Sequence, residues 1–158
     1  MDDTDRRLIV ATQSGLPLVE QPYHALAVQL GLSPREVMDR MEHMVRAGVI
    51  RRIGAVPNHY ALGYRFNGMT VWDVANADIE EAGTRVAALA FVSHCYQRPP
   101  ILEAGWPYSL FAMIHAKDQA TADHLVQTIA DVLGPLARGH RVLFSTRILK
   151  KTGLRMSA

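Results

Sequence analysis

His94, Tyr96 and Arg98 occupy every second position of a short segment that starts with Phe91 and Val92. The β-branched start of this segment and the proline that follows it are typical of a strand. Because side chains alternate between the two faces of a strand, these three residues share one face. A face buried only for packing would carry Val, Ile or Leu, so this polar row indicates a polar ligand or surface in front of the strand.

The residue types in this row suit proton transfer to an anionic ligand. An imidazole releases and recovers a proton near neutral pH, which makes His94 the candidate proton donor. The guanidinium of Arg98 presents a planar fork that matches a carboxylate, and Tyr96 offers a hydroxyl donor. A single strand histidine or arginine is more often structural, so the hypothesis depends on all three occurring together.

The composition is that of a globular protein with one domain or two small ones. The chain has 158 residues, 49% of them hydrophobic, and a formal net charge of +2, which does not favour nucleic-acid binding by default. Cys95 is the only cysteine, so no internal disulfide or cysteine metal cluster is expected, and alternation points it away from His94 as a small buried filler. An acidic start and no long apolar run predict a cytoplasmic protein without membrane segments.

The first third of the chain predicts three short helices. The first covers about Thr4 to Gln13 with Thr4 or Asp5 as its cap, the second starts at Pro22 and stops at Gly31, and the third follows a Ser33 cap. This order with a tight turn is typical of a helix-turn-helix. Residues 49–56 are expected to form the strand, or wing, that follows.

From Gly63 the pattern becomes strand, helix, strand, strand, helix, strand. The predicted strands cover residues 66–74, 91–98, 108–116 and 142–150, and the predicted helices cover residues 78–89 and 120–133. This is the ferredoxin-like βαββαβ order, an α+β arrangement with one sheet face left open for a ligand or partner. We therefore predict a winged helix-turn-helix domain over 1–60 and a ferredoxin-like domain over 61–158.

Four local motifs carry a resemblance to a known family. They are GVIRRIGAVPNH at 48–59, HCYQRP at 94–99, WPYSLFAMIH at 106–115 and STRILKKTGL at 145–154. The domain order resembles the Lrp/AsnC proteins, whose second domain is of this ferredoxin-like type, and the motifs resemble siroheme decarboxylase subunits of the His-Cys-Tyr-x-Arg type. Ser109 departs from the asparagine that is common at its position in that family.

The resemblance implies a carboxy-lyase. Family members remove CO2 from two acetate side chains of siroheme, giving 12,18-didecarboxysiroheme on the route to heme d1 or to heme by the alternative route. Protonation of the electron-rich pyrrole takes up the electron pair, so no cofactor is expected, and iron enters as part of the substrate. The implied partner is a paralogous subunit in a heterodimer or larger complex, with a homodimer as the alternative.

The same resemblance assigns candidate roles to further residues. His59 is expected to be a second acid or an iron ligand, with an ordinary loop histidine as the alternative. Arg51 and Arg52 are expected to bind siroheme carboxylates, and Tyr108 to donate a hydrogen bond to one. Trp106 is expected to lie against the tetrapyrrole or to seal its loop onto the sheet. His115 falls on the face alternate to Tyr108 and is left out of the catalytic set.

Two other functions remain open at this stage. One is an Lrp/AsnC-type transcriptional regulator, but the third helix is neutral and lacks the Asn and Gln that commonly read bases. Its arginines are matched by acids, which disfavours DNA binding; they are Arg35, Arg40 and Arg46 against Glu36, Asp39 and Glu42. The other is a heme-binding sensor in which His59 or His94 ligates iron.

Overall fold

The computed structural model describes residues 1–150 and 155–157, and they form two compact units. One unit comprises Met1–Val56 with the described residues from Lys150 onward, and the other comprises Pro57–Leu149. Each unit is described by itself. The last four residues of the fourth sequence motif, 151–154, lie outside the described residues.

The N-terminal unit consists of three helices: α1 (Asp3–Thr12), α2 (Pro22–Leu30) and α3 (Pro34–Arg46). The cap of α1 is Asp2, so the prediction of Thr4 or Asp5 as cap was wrong. Asp5 is instead the third helical residue of a capping box, in which Asp2 and Asp5 each accept a hydrogen bond from the other's backbone N–H. Helix α2 ends at Gly31, whose φ of 69° is the left-handed conformation that glycine adopts easily.

The three helices bury a small core of their own, formed by Leu8, Leu26, Ala27, Val37, Met41 and Met44. The Ser33 cap is confirmed, because its hydroxyl accepts from the N–H of Glu36. The strand expected over 49–56 is absent, since residues 51–58 adopt neither helix nor strand. A wing strand needs a hydrogen-bonded partner, and the described part of this unit contains no strand that could pair with it.

The C-terminal unit is a four-stranded antiparallel sheet with two helices. Its elements are β1 (Phe66–Val74), α4 (Ile79–Ala87), β2 (His94–Gln97), β3 (Leu110–Ala116), α5 (Gln119–Leu133) and β4 (Ala137–Phe144). The strand order β2-β3-β1-β4, with every neighbouring pair antiparallel, confirms the ferredoxin-like arrangement.

Three strands differ from their predicted ranges, and β3 begins at Leu110, two residues later than predicted. Strand β2 is shorter than 91–98 because Phe91 and Val92 lie in a turn and pack against the core. Strand β4 starts at Ala137 and ends at Phe144, whereas 142–150 was predicted. It pairs with β1 from Val74 onward, across a bulge beside Asp73, so it begins directly after the turn that closes α5.

Helices α4 and α5 both pack on the same face of the sheet. The main core lies there, where Trp72, Leu110 and Ile114 pack against residues of α4 and α5 such as Val86 and Ile129. The opposite face carries a small cluster of its own, built on Val71, Tyr108 and Phe111. This second face, called here the helix-free face, contains the polar row predicted from the sequence.

Gly68 allows β1 and β4 to pack closely at the centre of the sheet. It pairs with Phe144, and a Cβ at this position would lie 2.9 Å from Cγ1 of Val142. Val142 is β-branched and therefore stiff, so its side chain cannot move aside cheaply. We expect Gly68→Ala to lower the free energy of unfolding by about 1–3 kcal/mol through overpacking. Urea denaturation of the full chain measures this change.

Gly139→Ala is the matched control, because a Cβ at Gly139 on β4 would meet no atom within 4 Å. We expect its unfolding free energy to stay within about 0.5 kcal/mol of the parent chain. Equal denaturation midpoints for the two variants would contradict the close approach at Gly68.

Candidate active site

The helix-free face has an apolar floor, formed by Met69 and Val71 of β1 and by Phe111 and Met113 of β3. Met69 lies opposite Met113, and Val71 lies opposite Phe111, so the four side chains share one face. Val71 is fully buried and Phe111 is 6% exposed, although α4 and α5 pack on the other face of the sheet. Surrounding side chains therefore already shield the centre of this floor.

The polar row of β2 borders one side of the floor. His94 and Tyr96 stack with ring centroids 6.0 Å apart, and Tyr96 pairs with Phe111. Cζ of Arg98 lies 5.0 Å from the centroid of the Phe111 ring, a cation–π geometry. The N–H of Arg98 donates to the carbonyl of Ser109, which continues the ladder beyond β2. The structure thus places His94, Tyr96 and Arg98 on one face, beside an aromatic ring.

A hydrogen-bonded chain connects His94 to β3 and β1. Oγ of Ser93 lies 3.1 Å from Nδ1 of His94 and 2.9 Å from Nε2 of His115. Nδ1 of His115 lies 2.6 Å from Oδ1 of Asn67, a residue that is 1% exposed. Sequence reasoning missed Ser93 and Asn67 as members of the site.

The prediction that His115 and Tyr108 lie on different faces was wrong. Alternation was counted from Tyr108, but β3 begins at Leu110, and Tyr108 precedes the paired residues. Tyr108 packs on Val71 and Phe111 from the loop, so both it and His115 lie on the helix-free face. The signal that could have found His115 is its place as the only polar side chain of LFAMIHA, the sequence of β3.

His59 joins the same group from the turn that precedes β1. Its ring centroid lies 5.3 Å from that of His115 and 4.6 Å from that of Tyr60. The backbone holds this turn, because the N–H of Tyr64 donates to the carbonyl of His59. The fold therefore brings His59, His115 and His94 to one end of the helix-free face, although their roles stay predictions.

Trp106 and Tyr108 pack against each other beside the floor. Their rings meet edge to face with centroids 4.8 Å apart, and Tyr108 is 9% exposed. Trp106 also forms a two-hydrogen-bond bridge with Ile101 that closes the loop between β2 and β3. Both residues thus line the floor while sealing the loop, and their predicted contacts with substrate stay predictions.

Ser109 has a structural role. Its hydroxyl donates to the carbonyl of Val74 at 2.7 Å and accepts from the N–H of Val74 at 3.3 Å. It therefore fastens the end of β1 to the start of β3. An asparagine side chain also carries one acceptor and a donor group, so it suits the same two contacts.

Arg51 and Arg52 belong to the N-terminal unit, and both are exposed in the segment that follows α3. A further arginine that sequence reasoning missed is Arg141 on β4. It pairs with Val71, which places it on the helix-free face at the side opposite Arg98, and it is exposed. The sequence did not indicate a role for Arg141, because the last strand was predicted over 142–150 and Arg141 fell just outside it.

Cys95 faces the other side of the sheet, as alternation predicted. It packs partly buried against the main core, with its sulfur 3.9 Å from the carbonyl oxygen of Gly83. Burial raises the pKa of this thiol, so it stays protonated at neutral pH and is a poor nucleophile. Among the residues that the structure describes, no group of three or more His, Cys, Asp or Glu side chains could hold a metal ion.

The arginines of α3 are occupied by acids. Arg40 donates to Asp2 at 2.8 Å, to Asp5 at 2.9 Å and to Glu36 at 3.0 Å, and these bonds raise the pKa of Arg40 further above its ordinary value. The backbone N–H of Asp5 and then Arg40 lower the pKa of Asp2. The other two arginines pair one turn along the helix, Arg35 with Asp39 and Arg46 with Glu42.

Comparisons with known proteins match both units. The family model described as "AsnC-like ligand binding domain" matches residues 61–150, and "Siroheme decarboxylase NirDL-like HTH domain" matches residues 5–51. The chain is 52% identical over 157 residues to the siroheme decarboxylase NirH subunit of Paracoccus pantotrophus, covering 98% of this chain and 96% of that protein. It is also 40% identical to the NirDL subunit of the same organism, covering 94% of this chain and 45% of that one.

Solved structures give the same result. Escherichia coli AsnC matches with a TM-score of 0.78 at 19% identity, covering 98% of this chain and 97% of that chain, which shows the fold alone. Siroheme decarboxylase NirDL, in co-complex with an iron-uroporphyrin III analogue, matches with a TM-score of 0.64 at 35% identity, covering 98% of this chain and 47% of that chain. In the part of this chain that the structure describes, none of the helices combines the length and apolarity needed to cross a bilayer. The chain has a ferredoxin-like sheet and a three-helix unit, and its 52% identity to NirH extends over nearly the full length of both proteins. It therefore belongs to the siroheme decarboxylase family of Lrp/AsnC-like proteins.

Proposed function

We propose that this chain is a siroheme decarboxylase subunit that removes CO2 from acetate side chains of siroheme, giving 12,18-didecarboxysiroheme for heme d1 or heme synthesis. The observation that carries the proposal is the helix-free face, an apolar floor bordered on one side by the polar row of His94, Tyr96 and Arg98 and on the other by Arg141 of β4. The relatives named as siroheme decarboxylase subunits support the substrate.

The width of this face suits a flat macrocycle with carboxylates around its rim. Neighbouring strands lie about 4.8 Å apart, so β2 and β4 are about 14 Å apart across the sheet. Arg141 lies level with Val71, Phe111 and Tyr96 across the sheet. Arg98 follows directly after β2, and its guanidinium reaches back over the Phe111 ring in that same row. A tetrapyrrole resting on the floor would reach both guanidinium groups with carboxylates on opposite edges, since each guanidinium can bind a carboxylate in a bidentate manner.

His94 supplies the proton in the proposed reaction. Protonation of the pyrrole ring polarises the bond between the acetate methylene and its carboxylate carbon. When this bond breaks, CO2 leaves, and its electron pair enters the ring system. A proton added to the methylene carbon then completes a methyl group, and the ring gives back the proton that it took up, so each acetate consumes one proton and releases one CO2. His59 and Tyr96 are proposed as a second acid and as a hydrogen-bond donor.

We propose that no resident cofactor takes part, because the substrate's own conjugated ring accepts the electron pair and its iron arrives with it. The partner is proposed to be a paralogous subunit. A NirH subunit and a NirDL subunit occur in the same organism, and this chain covers about half of the NirDL chain, which leaves room there for a second module of this size. A homodimer is the alternative.

We expect His94→Ala to lower the decarboxylation rate by about 10²- to 10⁴-fold, because the proton donor is lost. The assay incubates the chain and its paralogous partner subunit anaerobically with siroheme and follows the loss of one or two CO2 masses by mass spectrometry. His124→Ala is the control, since His124 is exposed on α5, and this variant should keep the parent rate.

Parent-level turnover by His94→Ala would refute the assigned role of His94. The heme-sensor alternative predicts a different pattern, in which the parent complex binds siroheme without losing CO2 and the Soret band shifts in His59→Ala or His94→Ala. Mass spectrometry and Soret spectra of the same samples therefore distinguish the enzyme from the sensor.

We expect Arg98→Ala and Arg141→Ala each to raise KM for siroheme by about 10- to 100-fold, because a charged hydrogen bond to a substrate carboxylate is lost. The KM of Arg98→Lys should lie between those of the parent chain and Arg98→Ala, because lysine keeps the positive charge but lacks the planar pair of N–H donors. Arg35→Ala on α3 is the matched control and should leave KM unchanged. Unchanged KM in both Arg98→Ala and Arg141→Ala would contradict binding on this face.

The regulator alternative is disfavoured by the ion pairs of α3. Carboxylates beside Arg35, Arg40 and Arg46 would face repulsion from phosphates, whereas DNA readers gain affinity from unpaired cations. We expect no salt-dependent shift of genomic DNA fragments at 50 mM salt with protein up to about 10 µM, a concentration within the range at which DNA-binding proteins already bind non-specifically. Binding that weakens steeply between 50 and 200 mM salt would favour a regulator.

We also place the chain in the cytoplasm. Cys95, the only cysteine of the sequence, is a free and half-buried thiol, which suits a reducing compartment. Fractionation of the native host, followed by immunodetection of the chain, tests this placement.

A further inference from the structure

Two hydrogen bonds fix the orientation of the Asn67 side chain at the buried end of the chain that reaches His94. Nδ2 of Asn67 donates to the carbonyl of Tyr64 at 3.0 Å, so its Oδ1 is the atom that faces His115. Oδ1 can only accept, and therefore Nδ1 of His115 must carry the hydrogen. Asn67 is 1% exposed, so water does not compete for these contacts.

The remaining donors and acceptors then follow in order. When His115 is neutral with its hydrogen on Nδ1, its Nε2 is an acceptor, and the Ser93 hydroxyl, 2.9 Å away, can donate to it. The lone pairs of Ser93 Oγ are then available to His94, whose Nδ1 lies 3.1 Å away and donates. All bonds in the chain point the same way, from His94 through Ser93 and His115 to Asn67.

We propose that Ser93, His115 and Asn67 are positioning residues that hold neutral His94 as the Nδ1–H tautomer and thereby make Nε2 its proton-carrying atom. The tautomer assignment does not depend on the proposed function, and only its consequence for catalysis rests on that function. With Nδ1 occupied, a proton taken up from solvent can bind only at Nε2, the one remaining site on the ring. The row thus presents one defined acid atom to a substrate on the helix-free face.

The tautomer is measured on the unliganded full chain by 15N NMR of the imidazole nitrogens, at a pH where His94 is neutral. The chain has seven histidines, so His94→Gln identifies the His94 signals by their loss. We expect the parent chain to show a protonated Nδ1 and an unprotonated Nε2 for His94. Ser93→Ala removes the acceptor, and we expect the population to shift toward the Nε2–H form that histidine favours in water.

Ser93→Thr is the conservative control, because its hydroxyl can make the same two bonds, and it should restore the parent tautomer. Asn67→Asp tests the direction of the chain. A carboxylate at this position favours a charged His115 that donates from both nitrogens. Ser93 would then accept from His115 and donate to His94, and the tautomer of His94 should reverse.

The catalytic consequence is measured in the complex with its partner subunit. We expect Ser93→Ala to lower kcat by about 10- to 100-fold with little change in KM, and Ser93→Thr to recover most of the parent rate. A His94 tautomer that is the same in the parent chain and in Ser93→Ala would overturn the positioning proposal. Failure of the proposed function would appear instead as an inactive parent complex, and it would leave the tautomer result intact.

Discussion

The antiparallel pairing of β1 with β3 is the constraint on which the rest of the C-terminal unit depends. It sets Trp72 opposite Leu110 and Val71 opposite Phe111, so each successive pair faces the other side of the sheet. One side is buried by α4 and α5, and the other keeps an apolar floor without helices. A shift of β3 by one residue would turn each of its side chains to the opposite face, so Phe111 and Met113 would leave the floor and lie under the helices.

The same pairing explains why histidines gather at one end of the sheet. Asn67 lies opposite His115, and this pair stands two residues from the Met69 and Met113 pair that begins the floor. Strand β2 then adds His94 opposite Met113, with Ser93 bridging to His115. The buried amide of Asn67 holds His115 in place, because a buried polar side chain must satisfy its hydrogen bonds. Proton-transferring groups and an apolar binding surface thus share one face.

The N-terminal unit shows how one fold serves different chemistry. Its three helices and turn are those of the Lrp/AsnC proteins, and AsnC itself matches the whole chain at 19% identity. Yet every arginine of α3 is bound by an acid, and Arg40 is held by three carboxylates. Such pairing stabilises the packing of α1 on α3 and removes the free positive charge that a groove-reading helix needs.

Much of the architecture could be predicted from local patterns. The helix cap at Ser33 and the helix end at Gly31 are short-range signals in the sequence. The alternation of side chains along a strand predicted that His94, Tyr96 and Arg98 share one face. The predictions failed where a partner strand decides the outcome. Strand β4 starts at Ala137 because β1 offers a partner there, and residues 49–56 form no strand because the described part of their unit offers none.

The sequence by itself determined the chemistry that is present: a histidine, a phenol and an arginine in one row, a neutral third helix and a βαββαβ order. Only the tertiary structure decided which distant residues join that row. Asn67, His115 and Arg141 lie 27, 21 and 47 positions from His94, counted from their numbers in the chain. Their meeting depends on strand register, which arises from hydrogen bonds between strands and not from the local preferences of any one segment.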